Sequence, residues 1–230
     1  ELKSLYQSLV SDGFNVPLQS FRDAYEAVYH RYREIRLREQ REIGSPVWVA
    51  EALEALGFKA RPDDEAVIRG VEAFFNPYLE SMQPYPCVAS TLSELARRGL
   101  KLGLVSNFSY APVVTGALAR FGLQAYFDAV VISQDVGWRK PNPRIFNEAL
   151  RRLGVDSSSS ALVGDEPTDD VLGAASVGMR TVLVLMPRED QSSLKVSQMP
   201  RRPDLIIGSI CELPALLLTR ERGAMHRVNL

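Results

Sequence analysis

From residue 88 onward the chain alternates stretches of helical periodicity with short, continuous apolar runs rich in β-branched residues. Runs of this kind fall at 101–106, 129–133, 160–164, 180–185 and 204–207, with helices expected over 88–98, 112–121, 144–153 and 168–177. A strand that alternates with helices and carries no polar face is buried on both sides, which requires a parallel sheet covered by helices. The sequence therefore predicts an α/β fold, a doubly wound (Rossmann-like) parallel sheet.

The first 84 residues lack any such run. After the Ser11-Asp12-Gly13 turn, Ser20 is placed to cap a helix with Phe21, Ala24, Tyr25, Val28, Tyr32 and Ile35 on its apolar face, and Gly44 to stop it. Ser45-Pro46 opens a third helix and Pro62 a fourth. Arg31, Arg33, Arg36, Arg38 and Arg41 alternate with Glu34 and Glu39, the pattern of a solvated face with intrahelical ion pairs, with an anion-binding surface as the alternative. Pro84-Tyr85-Pro86 then forbids helix continuation. The expected division is an all-helical domain over 1–84 and an α/β core over 85–230, closed by a helix around Leu213–Leu218.

Composition narrows the partners. With 27 basic and 28 acidic residues the net charge is -1, so no global field recruits nucleic acid or an anionic membrane. No apolar run approaches the length of a membrane span. Two cysteines and two histidines cannot build a zinc site. Cys87 and Cys211 lie far apart without a CxxC pairing, and as unpaired thiols they fit a reducing, cytoplasmic location.

Three of the expected strands end in polar residues, and ligands bind at the carboxyl ends of such sheets. Val105-Ser106-Asn107 delivers a hydroxyl and an amide able to hydrogen-bond an anion, although the same pair also suits an ordinary turn. In Gly137-Trp138-Arg139-Lys140-Pro141-Asn142-Pro143, Asn142 serves as N-cap and Pro143 as the first helical residue, which holds Lys140 on a stiff frame. In Val163-Gly164-Asp165-Glu166-Pro167-Thr168-Asp169-Asp170, four acidic residues fall within six positions. One of them can serve the helix N-terminus, but the cluster is best explained by a hard divalent cation, Mg²⁺.

In this order and on consecutive strands, VSN, GWRKPNPRIF and VGDEPTDDVLGAASVGM make the chain resemble the haloacid-dehalogenase-like hydrolase superfamily, in the form with a helical cap near the N-terminus. The resemblance implies that Ser106 and Asn107 bind the transferring phosphoryl group. It implies that Lys140 steadies the nucleophilic carboxylate and that Asp165 binds the metal, with Asp170 supporting the metal or its waters. Asp169 stands where many relatives have Asn, and Cys87 where a Pro-Gly-Val sequence often opens the core. The implied activity is a Mg²⁺-dependent phosphatase of a small phosphorylated metabolite, working through an aspartyl-phosphate. The alternatives are a 2-haloacid dehalogenase, which needs no metal, and a non-catalytic relative.

One departure bears on activity. The superfamily's first motif, DxDxT, which carries the nucleophile, occurs nowhere in the 230 residues. The resemblance places it on a first core strand, expected upstream of residue 1. As they stand, the 230 residues hold no nucleophile for the covalent reaction.

Overall fold

A computed structural model describes residues 1–185, 199 and 201–216. It divides into two compact units, Glu1–Gln83 with Ser106–Gly122 and Ile132–Arg139, and Pro84–Val105 with Leu123–Val131 and the described residues from Lys140 onward.

The first unit is helical. Helices α1 (Leu2–Ser11), α2 (Leu18–Glu39), α3 (Ser45–Ala55) and α4 (Glu65–Ser81) come from the N-terminal stretch. Their apolar stripes meet in one core that includes Leu5, Leu9, Phe21, Trp48, Val49, Leu53, Val67 and Val71. Tyr110 and Val113 belong to the same core. Helix boundaries move by a few residues from the sequence expectation. Helix α2 stops at Glu39 because Gln40 turns into the left-handed region at φ 55°, where its N–H bonds the Arg36 carbonyl. Gly44 is instead the residue before α3. The arginine-rich face is only partly intrahelical. Arg38 pairs with Glu34 at 3.3 Å one turn away, whereas Arg31 reaches Glu51 on α3 and Arg36 lies over the Trp48 ring at 4.7 Å.

The second unit carries most of the strands. Helix α5 (Val88–Arg97) leads to β1 (Gly103–Ser106), whose last residue falls in the first unit, as does α6 (Ala111–Arg120). Then follow β2 (Ala129–Ile132), α7 (Ser133–Val136), α8 (Pro143–Leu153) and β3 (Ala161–Gly164). A π-helical turn over Pro167–Leu172 runs into α9 (Gly173–Ser176), β4 (Arg180–Val184) and β5 (Leu205–Ile207). Where the periodicity predicts one helix over 168–177, the backbone is thus wound more widely in its first half.

Strands β3, β4 and β5 form a parallel sheet in that order, with Leu162 opposite Thr181 and Leu183 opposite Ile206. Strands β1 and β2 form a second sheet, and among the described residues no ladder joins β1 to β3. The parallel strands between helices make this an α/β fold, as the apolar runs require. The edge strand β3 is unusually open for a strand of this class, with Val163 37% exposed.

The cysteine reading is corrected. Cys87, before α5, and Cys211 form a disulfide with Cα atoms 5.7 Å apart. A separation of 124 residues gives no hint of the pairing, which arises because α5 packs on the turn at Ile210–Glu212. Neither cysteine is then one of the free thiols on which the expected reducing, cytoplasmic location rests. Among the described residues no helix is long and apolar enough to cross a membrane. The closing helix expected around Leu213–Leu218 runs past residue 216, where the described residues end.

Burial of Tyr110, with the Glu72 carboxylate as a lesser cause, pushes its hydroxyl up to about 12. An unfolded tyrosine deprotonates near pH 10, so between about pH 10 and 12 the folded state holds a proton that the unfolded state has lost. Stability from this group is therefore fully present below pH 10 and falls as pH rises, with a slope of at most about 1.4 kcal/mol per pH unit. Urea unfolding across that range should show a shallower decline for Tyr110→Phe than for the wild type.

Candidate functional site

The loop between α7 and α8 is built to hold one lysine. Asn142 accepts the Arg144 N–H at 3.0 Å as the N-cap of α8, and Pro143 opens the helix, as the sequence predicts. Pro141 follows Lys140 through a cis peptide bond. From this frame the Lys140 ammonium donates to Asp170 Oδ1 at 2.6 Å, with both side chains largely buried.

Asp170 is itself fixed from several sides. It lies in the π-helical turn, its Oδ2 accepts the Glu166 N–H at 3.0 Å, and its own N–H donates to the Glu166 carbonyl at 2.8 Å. Two glycines make the approach possible. A Cβ at Gly164 would run into the Asp170 carboxylate, and one at Gly173 would lie 2.9 Å from the Pro141 Cα. The Asp170 carboxylate therefore rests on the bare end of β3, while the start of α9 packs against the loop that carries Lys140.

Asp165 directly follows β3, one residue beyond Gly164 and five before Asp170. Ser106 is the last residue of β1 and Asn107 follows it, both half-buried in the first unit. The structure thus brings Lys140 and Asp170 into contact and sets Asp165 at the adjoining strand end. Ser106 and Asn107 belong to the other unit and to a loop with its own supports.

Among the described residues no group of three or more His, Cys, Asp or Glu side chains is placed to hold a metal ion by itself. The donors near Gly164 are carboxylates, hard oxygen ligands without any sulfur or imidazole. That set fits Mg²⁺, which binds through one or two carboxylates and takes its remaining ligands from water and substrate phosphate. It does not fit zinc.

Sequence reasoning missed Glu42. Its side chain is fully buried, and its Oε2 accepts from Ser133 Oγ at 2.8 Å and from Arg139 Nη1 at 2.9 Å. No local pattern around Arg41-Glu42-Ile43 signals this, because the partners lie more than 90 positions away.

The family described as haloacid dehalogenase-like hydrolase matches residues 15–184. A glyceraldehyde 3-phosphate phosphatase of Methanothermobacter thermautotrophicus is 40% identical over 115 residues, half of either chain. The human haloacid dehalogenase-like hydrolase domain-containing protein 3 is 33% identical over 177 residues, 74% of this chain and 67% of that one. Among solved structures, a 2-haloacid dehalogenase from Pseudomonas syringae pv. Tomato superposes with a TM-score of 0.64 at 27% identity, covering 95% of this chain and 91% of that one. The chain spans about half the length of the archaeal phosphatases it matches.

A side chain at position 164 has to expel the Asp170 carboxylate and so separate it from Lys140. Gly164→Ala should therefore lower the unfolding free energy by at least about 2 kcal/mol, since it overpacks the strand end and breaks a buried ion pair. Gly164→Ala combined with Asp170→Ala should recover part of that loss in the same chemical denaturation series.

Proposed function

Because the chain belongs to the haloacid dehalogenase-like hydrolase family, we propose that the protein is a Mg²⁺-dependent phosphatase of small phosphorylated metabolites. The observation that carries this reading is the Lys140–Asp170 pair seated on Gly164, beside Asp165. A charge-paired lysine next to an acidic strand end suits a reaction that accumulates negative charge on phosphoryl oxygens. The phosphatase relative supports the same choice over carbon–halogen cleavage, as does the acidic strand end, which would repel a carboxylate substrate. Residues 1–84 are read as the cap and 85–230 as the core.

In this reading the nucleophile is an aspartate of the family's first motif, which is not among the 230 residues. Its carboxylate attacks phosphorus, the bond to the leaving oxygen breaks, and that oxygen takes a proton. Water then hydrolyses the aspartyl-phosphate to release inorganic phosphate and restore the carboxylate. Ser106 and Asn107 donate hydrogen bonds to the non-bridging oxygens. Lys140 fixes the orientation of Asp170 and offsets charge on the nucleophile and its phosphorylated form. Asp165, with Asp170 in support, would hold Mg²⁺, which when bound offsets charge on the phosphoryl oxygens.

The full-length protein should hydrolyse small phosphate monoesters in the presence of Mg²⁺ and stop when EDTA is added. Asp165→Asn should reduce kcat/KM by at least ~10²-fold, because it removes ligand charge from a site facing a dianionic group. Activity that survives EDTA and releases chloride from 2-chloropropionate would establish the dehalogenase instead. No turnover of either substrate class would leave a non-catalytic member of the family.

A further inference from the structure

Residues 40–45 clasp the segment that begins at Ser106, and Glu42 is the centre of the clasp. The backbone of this stretch pairs with residues 137–139: the Glu42 N–H donates to the Gly137 carbonyl and the Arg139 N–H to the Gln40 carbonyl, each at 3.0 Å, around an antiparallel bridge between Arg41 and Trp138. Ser133, wholly buried, accepts the Phe108 N–H at 2.9 Å, and its hydroxyl lies 2.8 Å from Glu42 Oε2 and 3.1 Å from the Phe108 carbonyl; the nearer, charged acceptor takes its single proton. Phe108 is the residue after Asn107.

Two more contacts hold the same loop. The Ser45 N–H donates to the Ser109 carbonyl at 2.8 Å, and the two serine hydroxyls meet at 2.8 Å. Gln134 Oε1 accepts the Ala111 N–H, and the Gln134 side chain packs so closely on Gly44 that a Cβ there would lie 2.7 Å from Nε2. From 108 to 111 the loop is thus tied at three points to residues 133 and 134 and to the start of α3.

A buried carboxylate is a poor choice for simply gluing these segments. Buried ion pairs add little to stability against an apolar replacement, and the second oxygen, Oε1, is buried with no hydrogen-bond partner, which is costly. What a carboxylate does better than an apolar side chain is fix direction. Its Oε2 receives Ser133 and Arg139 together and so sets the Ser133 hydroxyl against the Phe108 amide.

We propose that Glu42 is a positioning residue that, through Ser133, holds Ser106 and Asn107 in place for the transferring phosphoryl group. This rests on the phosphatase reading. Glu42 touches no reacting atom and acts through the loop, where a displacement of ~1 Å costs on the order of 10²-fold in rate.

The experiment compares full-length wild type, Glu42→Ala, Glu42→Gln and Ser133→Ala. The readouts are kcat and KM for p-nitrophenyl phosphate with Mg²⁺, amide hydrogen exchange at Phe108, and the unfolding midpoint. Glu42→Ala and Ser133→Ala should each lower kcat/KM by at least ~10-fold, chiefly in kcat, and should speed Phe108 exchange by a similar factor while α1 amides keep their rates. Glu42→Gln still offers an oxygen to Ser133 and should stay within ~3-fold of wild type. The double variant Glu42→Ala/Ser133→Ala should be no worse than either single one.

A folded Glu42→Ala or Ser133→Ala protein with kcat/KM within ~2-fold of wild type overturns the inference, as does unchanged Phe108 exchange. Should Glu42→Ala fail to fold, Ser133→Ala decides alone. Inactivity of the wild type itself on phosphate monoesters overturns the phosphatase reading and this inference together.

Discussion

The second unit is organised around one ion pair. Lys140 and Asp170 meet at 2.6 Å in a largely buried setting, and three separate pieces of chain must arrive together for this to happen. The Asn142 cap and Pro143 hold the lysine loop. The wide turn over Pro167–Leu172 delivers the aspartate. Gly164 and Gly173 remove the Cβ atoms that would keep these pieces apart. Each glycine weakens its own element, and each is explained by the close approach it permits. A buried pair of this kind is weak evidence for stability, but it fixes where a positive charge and a carboxylate lie relative to the end of β3.

In the first unit a second buried carboxylate does comparable work. Glu42 joins residues 40–42 to 137–139 and, through Ser133, to the loop after Asn107. Hydrogen bonds between segments so distant in sequence form only when the unit is folded, so the loop's geometry is a property of the whole helical unit. Its apolar core, from Leu5 to Val113, supplies the free energy that such a polar network does not.

What could be read in the sequence was local or periodic. Asn142 and Pro143 announce a helix start through capping chemistry that needs no tertiary context. The parallel strands follow from their unbroken apolar runs, and the acidic cluster after Gly164 stands out by charge density alone. What could not be read depends on distant partners. Lys140 and Asp170 are each visible as polar residues on structured loops, but their contact across 30 positions is not. Glu42 sits in a charged stretch that reads as solvent-exposed, yet tertiary packing buries it against Ser133 and Arg139. The Cys87–Cys211 bond is hidden for the same reason, and there the sequence reading pointed the wrong way. The left-handed Gln40 shows how a residue other than glycine can end a helix when the next segment is fixed by bridging to Trp138.

On the phosphatase reading proposed above, the carboxylates after β3 would hold a hard divalent cation. The most direct test is Mn²⁺ binding to the full-length protein, followed by electron paramagnetic resonance, with Mg²⁺ as competitor. Mn²⁺ uptake should be saturable, displaced by Mg²⁺ and abolished by Asp165→Asn. Uptake identical in wild type and Asp165→Asn, or no uptake in the wild type, would contradict that reading.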